Sequence, residues 1–147
     1  MDPLSIAASV AGLLAAAGKV TSVLSTVKSS IGNAPQSMNQ LISQTKELEV
    51  IFFAVNDFIS RTGSASRSRI SMIQVEQLVA TLAEAVLTFS ELEALANRFG
   101  IYTEMSMLKR MRFIWKEEAI ASIILRLDRQ KCSLSLMLNI VQWFVHS

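Results

Sequence analysis

Charge is missing from the start of this chain: no residue between Asp2 and Lys19 carries one. Turn formers are scarce too, with 5 Gly and 2 Pro in 147 residues, too few for a many-stranded β protein. That scarcity leaves a few long helices with short connections. A single cysteine, Cys132, excludes an internal disulfide and matches a reducing, intracellular setting. It has no second Cys or nearby His to complete a metal site, and no evident base to make it a nucleophile, so it reads as a half-buried structural thiol. The sole histidine, His146, lies beside the last residue and reads as a tail residue rather than a base. There is no glycine-rich phosphate loop. The carboxylate pairs Glu91/Glu93 and Glu117/Glu118 fall among other charges, as on a solvated helix face. These absences point away from an enzyme. No catalytic, metal-ligating or cofactor-binding residue is assigned.

What is present is apolar. Hydrophobic residues make up 51% and charged residues 18%, a balance that favours a packed core over disorder. The length suits one domain, residues 1–147. A net charge of +2 is too small to indicate a nucleic-acid partner. A secretory signal needs a positive n-region, and here the only early charge is Asp2. Asp2-Pro3 reads instead as a helix start. Asp caps an orphan N–H, and Pro at the first helical position gives up no hydrogen bond.

Four apolar stripes predict four long helices, about 3–31, 34–61, 70–99 and 113–144. In the first, Ile6, Val10, Leu13, Ala17, Val20, Leu24, Val27 and Ile31 recur at alternating spacings of four and three, and Gly32-Asn33 stops it. The second carries Met38, Leu41, Thr45, Leu48, Phe52, Val55 and Ile59, widened by Ile42, Ile51 and Phe58. The third carries Val75, Leu78, Leu82, Ala85, Phe89, Leu92, Ala96 and Phe99 and ends at Gly100. The last carries Ile120, Ile124, Leu127, Leu134, Met137, Val141 and Phe144, uninterrupted by Pro or Gly. TGSASRSR (62–69) reads as the flexible loop, and IYTEMSMLKRMR (101–112) as a connector with room for a short helix capped at Thr103. The expected fold is all-α, an antiparallel four-helix bundle.

Two features stand apart. Opposite the stripe of the first helix lie Ser5, Ser9, Gly12, Ala16, Lys19, Ser22, Thr26 and Ser29. A bundle helix ordinarily carries Glu, Lys and Arg there. This face costs little to desolvate, and Ala8, Gly12 and Ala16 form a small-residue ladder of the kind that lets helices approach closely in lipid. Residues 3–18 are short of a span of about 20, and extension to Val27 brings in Lys19, which costs about 2.5–3.5 kcal/mol at mid-bilayer. The helix therefore reads as soluble when packed and membrane-active when released. A helix buried on two sides of a bundle has the same composition. The second feature is the basic cluster Lys109, Arg110, Arg112 and Lys116, interleaved with Met111, Phe113 and Trp115. It suits anionic lipid headgroups, and equally a solvated helix start with Trp115 in the core.

Two stretches carry a family resemblance. The opening MDPLSIAASVAGLLAAAGKV resembles that of the N-terminal domains of fungal STAND (NOD-like receptor) proteins. RFIWKEEAIASIILRLDRQKCSLSLML is similar to the same family's pattern through Trp115, Lys116, Ile120, Leu127, Lys131, Ser133, Leu134 and Leu136. That family resembles HeLo and HeLo-like domains and, more distantly, the four-helix executioner domains of animal necroptosis and plant resistance proteins. The resemblance implies a cell-death effector of the kind active in heterokaryon incompatibility and innate immunity. It would be cytoplasmic at rest, oligomerise on activation, and permeabilise the plasma membrane through its N-terminal helix.

In this sequence the membrane-active positions fall between Leu4 and Lys19, and the candidates are Leu4, Ile6, Val10, Gly12, Leu13, Leu14 and Ala16. Candidate lipid headgroup contacts are Lys109, Arg110, Arg112 and Lys116. Implied partners are anionic membrane lipids, further copies of the chain and a C-terminal regulatory module in the full protein, with no nucleic acid. The alternative is a non-lytic interaction or oligomerisation domain of such a receptor.

Overall fold

A computed structural model describes residues 3–62, 75–101 and 104–146, with side chains described over 5–60, 76–101 and 104–140. Among the described residues there are five helices and no strand. They are α1 (Pro3–Ser30), α2 (Gln36–Thr62), α3 (Val75–Ile101), α4 (Met107–Ile114) and α5 (Glu117–His146). The fold is all-α and bundle-like. Over the described residues four elements follow the expected stripes; the expected helix start at 70–74 and the side chains of Val75, Val141 and Phe144 lie outside them. The fifth, α4, is the short helix the connector had room for. The short helix is capped at Ser106, not at Thr103 as expected. Thr62 of the expected 62–69 loop ends α2, and the rest of that loop and the Asp2 cap lie outside the described residues.

The stripes form the core. Every stripe position of α1 from Ile6 to Val27 is buried, and Ile31 follows just beyond the helix end. Met38, Leu41, Leu48, Phe52 and Val55 of α2 join them, as do Leu78, Leu82, Ala85, Phe89, Leu92 and Phe99 of α3 and Ile120, Ile123, Leu127 and Leu134 of α5. Phe52 and Phe89 meet edge to face with ring centroids 5.7 Å apart, a favoured aromatic geometry at the centre. The principal contacts run from α1 to α2, α2 to α5, α5 to α3 and α3 back to α1, with α4 resting on α3 and α1.

Two boundaries depart from the sequence expectation. Helix α1 stops at Ser30, and Gly32 takes no left-handed conformation; Ile31 N–H bonds back to Lys28 O at 3.3 Å. The expected last helix is broken although it holds no Pro or Gly. Trp115 has an extended backbone (φ −79°, ψ 106°), and α5 starts two residues later. The indole explains the break. It is buried, and Trp115 Nε1 donates to Ser37 Oγ at 2.9 Å, while that hydroxyl donates to Glu117 Oε1 at 3.0 Å. Continuing the helix through 115 would surrender this anchor, so tertiary packing overrides local propensity.

Candidate functional site

The α1 surface divides its predicted residues between two roles. Ile6, Val10, Leu13 and Ala16 are buried, Leu14 is half-buried, and Gly12 is exposed. The side chain of Leu4 lies outside the described residues. Ala16 therefore corrects the expected outer face: at 7% exposure it belongs to the core, and Ala15 takes its place outside. The exposed stripe is Ser5, Ala8, Gly12, Ala15, Lys19, Ser22, Thr26 and Ser29, with Ser9 half-buried. Burial of Ala16 follows from contact with both α2 and α3, which widens the covered side of α1 beyond a single row.

This stripe has two properties that composition alone did not carry. First, a Cβ placed on Gly12 would meet nothing within 4 Å. Glycine in mid-helix costs roughly 0.5–1 kcal/mol against Ala, and in this state no neighbour requires it. Second, side-chain hydrogen bonds along α1 turn inward on the helix itself. Ser9, Thr26, Ser29 and Ser30 hydroxyls donate to the carbonyls of Ser5, Ser22, Ser25 and Thr26, four residues back. Among the described residues from Ile6 to Ser30, no α1 side chain makes an ion pair or hydrogen bond to another helix. Over Ser5–Ser30, α1 is long and apolar enough to cross a membrane, a test that core helices of soluble proteins also pass.

Sequence reasoning missed the surface beside this stripe. Leu14 and Thr21 of α1 face Lys46, Glu49, Val50 and Phe53 of α2 across an open groove of about 520 Å³. Val50 and Phe53 are 69% and 64% exposed. They fall outside the α2 stripe, so a search for buried periodicity passes over them; two large apolar residues off the stripe were the available signal.

The basic cluster sits on α4. Ser106 caps this helix, accepting from Lys109 N–H at 3.3 Å. Met111 and Ile114 are buried, whereas Leu108, Lys109, Arg112, Phe113 and Lys116 are exposed. Arg110 is set apart. Its Nη1 donates to Phe99 O at 3.1 Å, occupying a carbonyl in the last turn of α3 that lacks a partner within its helix. The guanidinium thus ties α4 to the end of α3, and Arg110 is half-buried where the other three cations of the cluster are exposed. Trp115 is likewise withdrawn into the core.

Elsewhere, polar chemistry joins α5 to its neighbours. Arg126 grips Glu91 of α3 through two bonds of 3.1 and 2.6 Å. The hydrogen bonds from that guanidinium, with its charge, hold the Glu91 carboxyl below the ordinary glutamate value against some desolvation. Lys131 bonds Glu47 of α2 at 2.8 Å, which raises its pKa, with Asp128 adding to the effect. Buried Gln130 donates to Thr88 Oγ1 at 2.9 Å. Cys132 is exposed, not half-buried as expected, because it falls on the solvent side between Gln130 and Leu134. Among the described residues no three His, Cys, Asp or Glu side chains gather as metal ligands. The His146 side chain lies outside the described residues.

Comparison with known proteins found no matching family model, no matching curated protein and no matching solved structure.

Proposed function

We propose that this chain is an antiparallel four-helix bundle that acts as a cell-death effector domain of the HeLo-like kind, oligomerising on activation and permeabilising the plasma membrane through α1. One observation carries the proposal: the helix apolar enough to cross a bilayer is joined to the others by apolar packing, with no described polar tie from Ile6 onward. Moving such a helix from a protein core to acyl chains keeps its apolar side chains out of water and breaks no ion pair. Gly12, exposed and without a packing partner in the closed state, fits a face that meets another helix later. The bundle arrangement is supported by the 31–35 link, too short to let two extensively packed helices run parallel. The resemblance to fungal STAND N-terminal domains points the same way, and carries with it a resting cytoplasmic state and a regulatory module C-terminal to the domain.

The test is dye leakage from vesicles of phosphatidylcholine and phosphatidylserine when copies of the domain are clustered. Ala8→Glu and Gly12→Glu place charge on the exposed stripe without touching the core, so the fold is kept, with Gly12→Glu no less stable than wild type, while leakage is lost. These substitutions are cleaner than deletion of residues 1–19, which strips Ile6, Val10 and Leu13 from the core. A clustered wild-type domain that leaves vesicles intact, or charged variants that leak like wild type, would refute the proposal.

A second reading has its own observation, the groove lined by Leu14, Val50 and Phe53. Exposed apolar side chains of this size mark interaction surfaces, and a non-lytic oligomerisation domain would use them. In that case Phe53→Glu abolishes a stoichiometric complex in solution, and vesicles are irrelevant to it.

A further inference from the structure

Four helix ends gather at one end of the molecule. α1 finishes at Ser30 and α2 begins at Gln36, joined by the link 31–35. Ser37 bonds Glu117, so α5 begins there too. Thr88 and Glu91 of α3 meet Gln130 and Arg126 of α5 in reverse order, which carries the last turn of α3 to the same end. α4 lies across this end. Isolated helices shorter than about 12–15 residues are marginal in water, so the place of this eight-residue helix comes from what it touches.

Its two ties reach different helices. Arg110 Nη1 donates to Phe99 O in the last turn of α3 at 3.1 Å. Trp115 Nε1, just past the end of α4, donates to Ser37 Oγ in the first turn of α2 at 2.9 Å. α2 and α3 are the two long helices on which α1 packs, and α4 touches α1 as well as α3. Between the ties, Met111 and Ile114 enter the same buried cluster as Val27 and Ile31 at the finish of α1. α4 thus runs from α3 to α2 over the finish of α1, bonded on both sides and apolar beneath. Among the described residues, no short helix is fastened in this way over the start of α1.

We propose that α4 is a strap over the finish of α1: α1 leaves the bundle start-first, and its second half stays seated until the ties at Phe99 and Ser37 open. The hold belongs to the closed chain; its use in permeabilisation rests on the membrane-permeabilising reading. From Ile6 onward α1 has no bonded pair of its own to fix an order of release, and the strap supplies one. It also limits reach. With the second half seated, the free part from Pro3 to Ala17 is about 22 Å long, short of a hydrocarbon core of about 30 Å. Strap opening is therefore the step that lets α1 span. Because Met111, Ile114 and Trp115 are packed with the end they cover, strap and finish open together as one local unit.

The experiment is amide exchange of the full chain, unclustered, resolved along the sequence by mass spectrometry. Arg110→Met removes the tie to α3. Ser37→Ala removes the tie to α2 and leaves the indole in place. One hydrogen bond of about 1 kcal/mol is about fivefold in a local opening constant. Each variant is expected to speed exchange over 20–30 about fivefold, and the double variant about 25-fold, with 6–17 unchanged. Arg126→Met, which breaks a bonded contact between α3 and α5, is the control; it speeds exchange near 88–91 and 126–130 and leaves 20–30 unchanged. Equal acceleration of 6–17 and 20–30 in the strap variants, acceleration of 20–30 by Arg126→Met, or an unmoved 20–30 in the double variant overturns the proposal. Failure of the two ideas is distinguishable. The expected exchange pattern without leakage on clustering upholds the strap and removes permeabilisation. Leakage on clustering with 20–30 unmoved in the double variant does the reverse.

Discussion

Helices α1 and α5 are nearly equal in length, 28 and 30 residues, and both pack on α2 and α3, yet they are held by different forces. α5 is pinned at discrete points: Arg126 to Glu91, Gln130 to Thr88 and Lys131 to Glu47, with Gln44 reaching Asp128 at 3.4 Å. Such pairs specify register, because a shift of one turn leaves each group unmatched. α1 has none of these from Ile6 onward. Six large aliphatic side chains, Ile6, Val10, Leu13, Val20, Leu24 and Val27, hold it instead, each worth about 1.5–3 kcal/mol on burial. That sum is ample in water and largely preserved in hydrocarbon. Strength of attachment and specificity of attachment are thus separated, and the apolar helix is strongly held in water but indifferent to which apolar surroundings hold it.

The largest expected effect tests whether the two attachments differ in consequence when equally weakened. Leu24→Ala in α1 and Leu127→Ala in α5 both empty fully packed sites, and each should cost about 2–5 kcal/mol in chemical denaturation. Equal in stability, the two variants should part in behaviour. Loss at Leu24 should lower amide-exchange protection along α1 selectively and make vesicle leakage easier to trigger. The same loss at Leu127 should lower protection of α5 and leave the leakage threshold in place. Identical leakage behaviour in the two variants would erase the distinction between the helices.

The next effect concerns the elbow that separates α4 from α5. Trp115→Phe removes the donor to Ser37 Oγ and part of a buried ring. The hydrogen bond accounts for about 1 kcal/mol, and the void adds to it. The variant should also let helix propagate through 115, since nothing in 113–118 is a Pro or Gly. A gain in circular-dichroism helicity with a lower denaturation midpoint is the expected signature; unchanged values of both would show that the indole does not set the break.

This elbow marks where sequence reasoning ran short. Period-four-and-three spacing located four helices because each stripe answers to one local rule, that a buried face recurs every 3.6 residues. The stripes from Ile6 to Val27, Met38 to Val55 and Leu78 to Phe99 are buried accordingly. Ala16 escaped the rule because α1 meets two neighbours and buries an extra row. The Trp115 break, the Arg110 cap and the groove at Val50 and Phe53 depend on partners distant in the chain, such as Ser37 and Phe99, which no local pattern encodes. The basic cluster was legible as composition, but which of its cations face solvent was decided by the turn of an eight-residue helix.

A smaller effect of opposite sign isolates the exposed glycine. Gly12→Ala adds a methyl into open space and should raise stability by roughly 0.5–1 kcal/mol. If Gly12 is kept for close helix approach after release, this more stable protein should leak less. A variant both more stable and equally lytic would leave the glycine without a role.

The smallest effect separates the helices by acid. Because Arg126 depresses the Glu91 carboxyl in the folded state, that pair contributes fully above the ordinary glutamate value and is lost as pH falls through the lowered folded value. Both side chains are partly exposed, at 29% and 53%, so the contribution is discounted to about 0.2–1 kcal/mol. Arg126→Met should remove this part of the acid dependence of denaturation and soften α5 without altering exchange along α1. From Ile6 to Ser30, α1 holds no carboxylate and makes no described ion pair, so that stretch carries no acid-titrating pair. Acid below the ordinary glutamate value should therefore loosen the pinned helix before the greasy one.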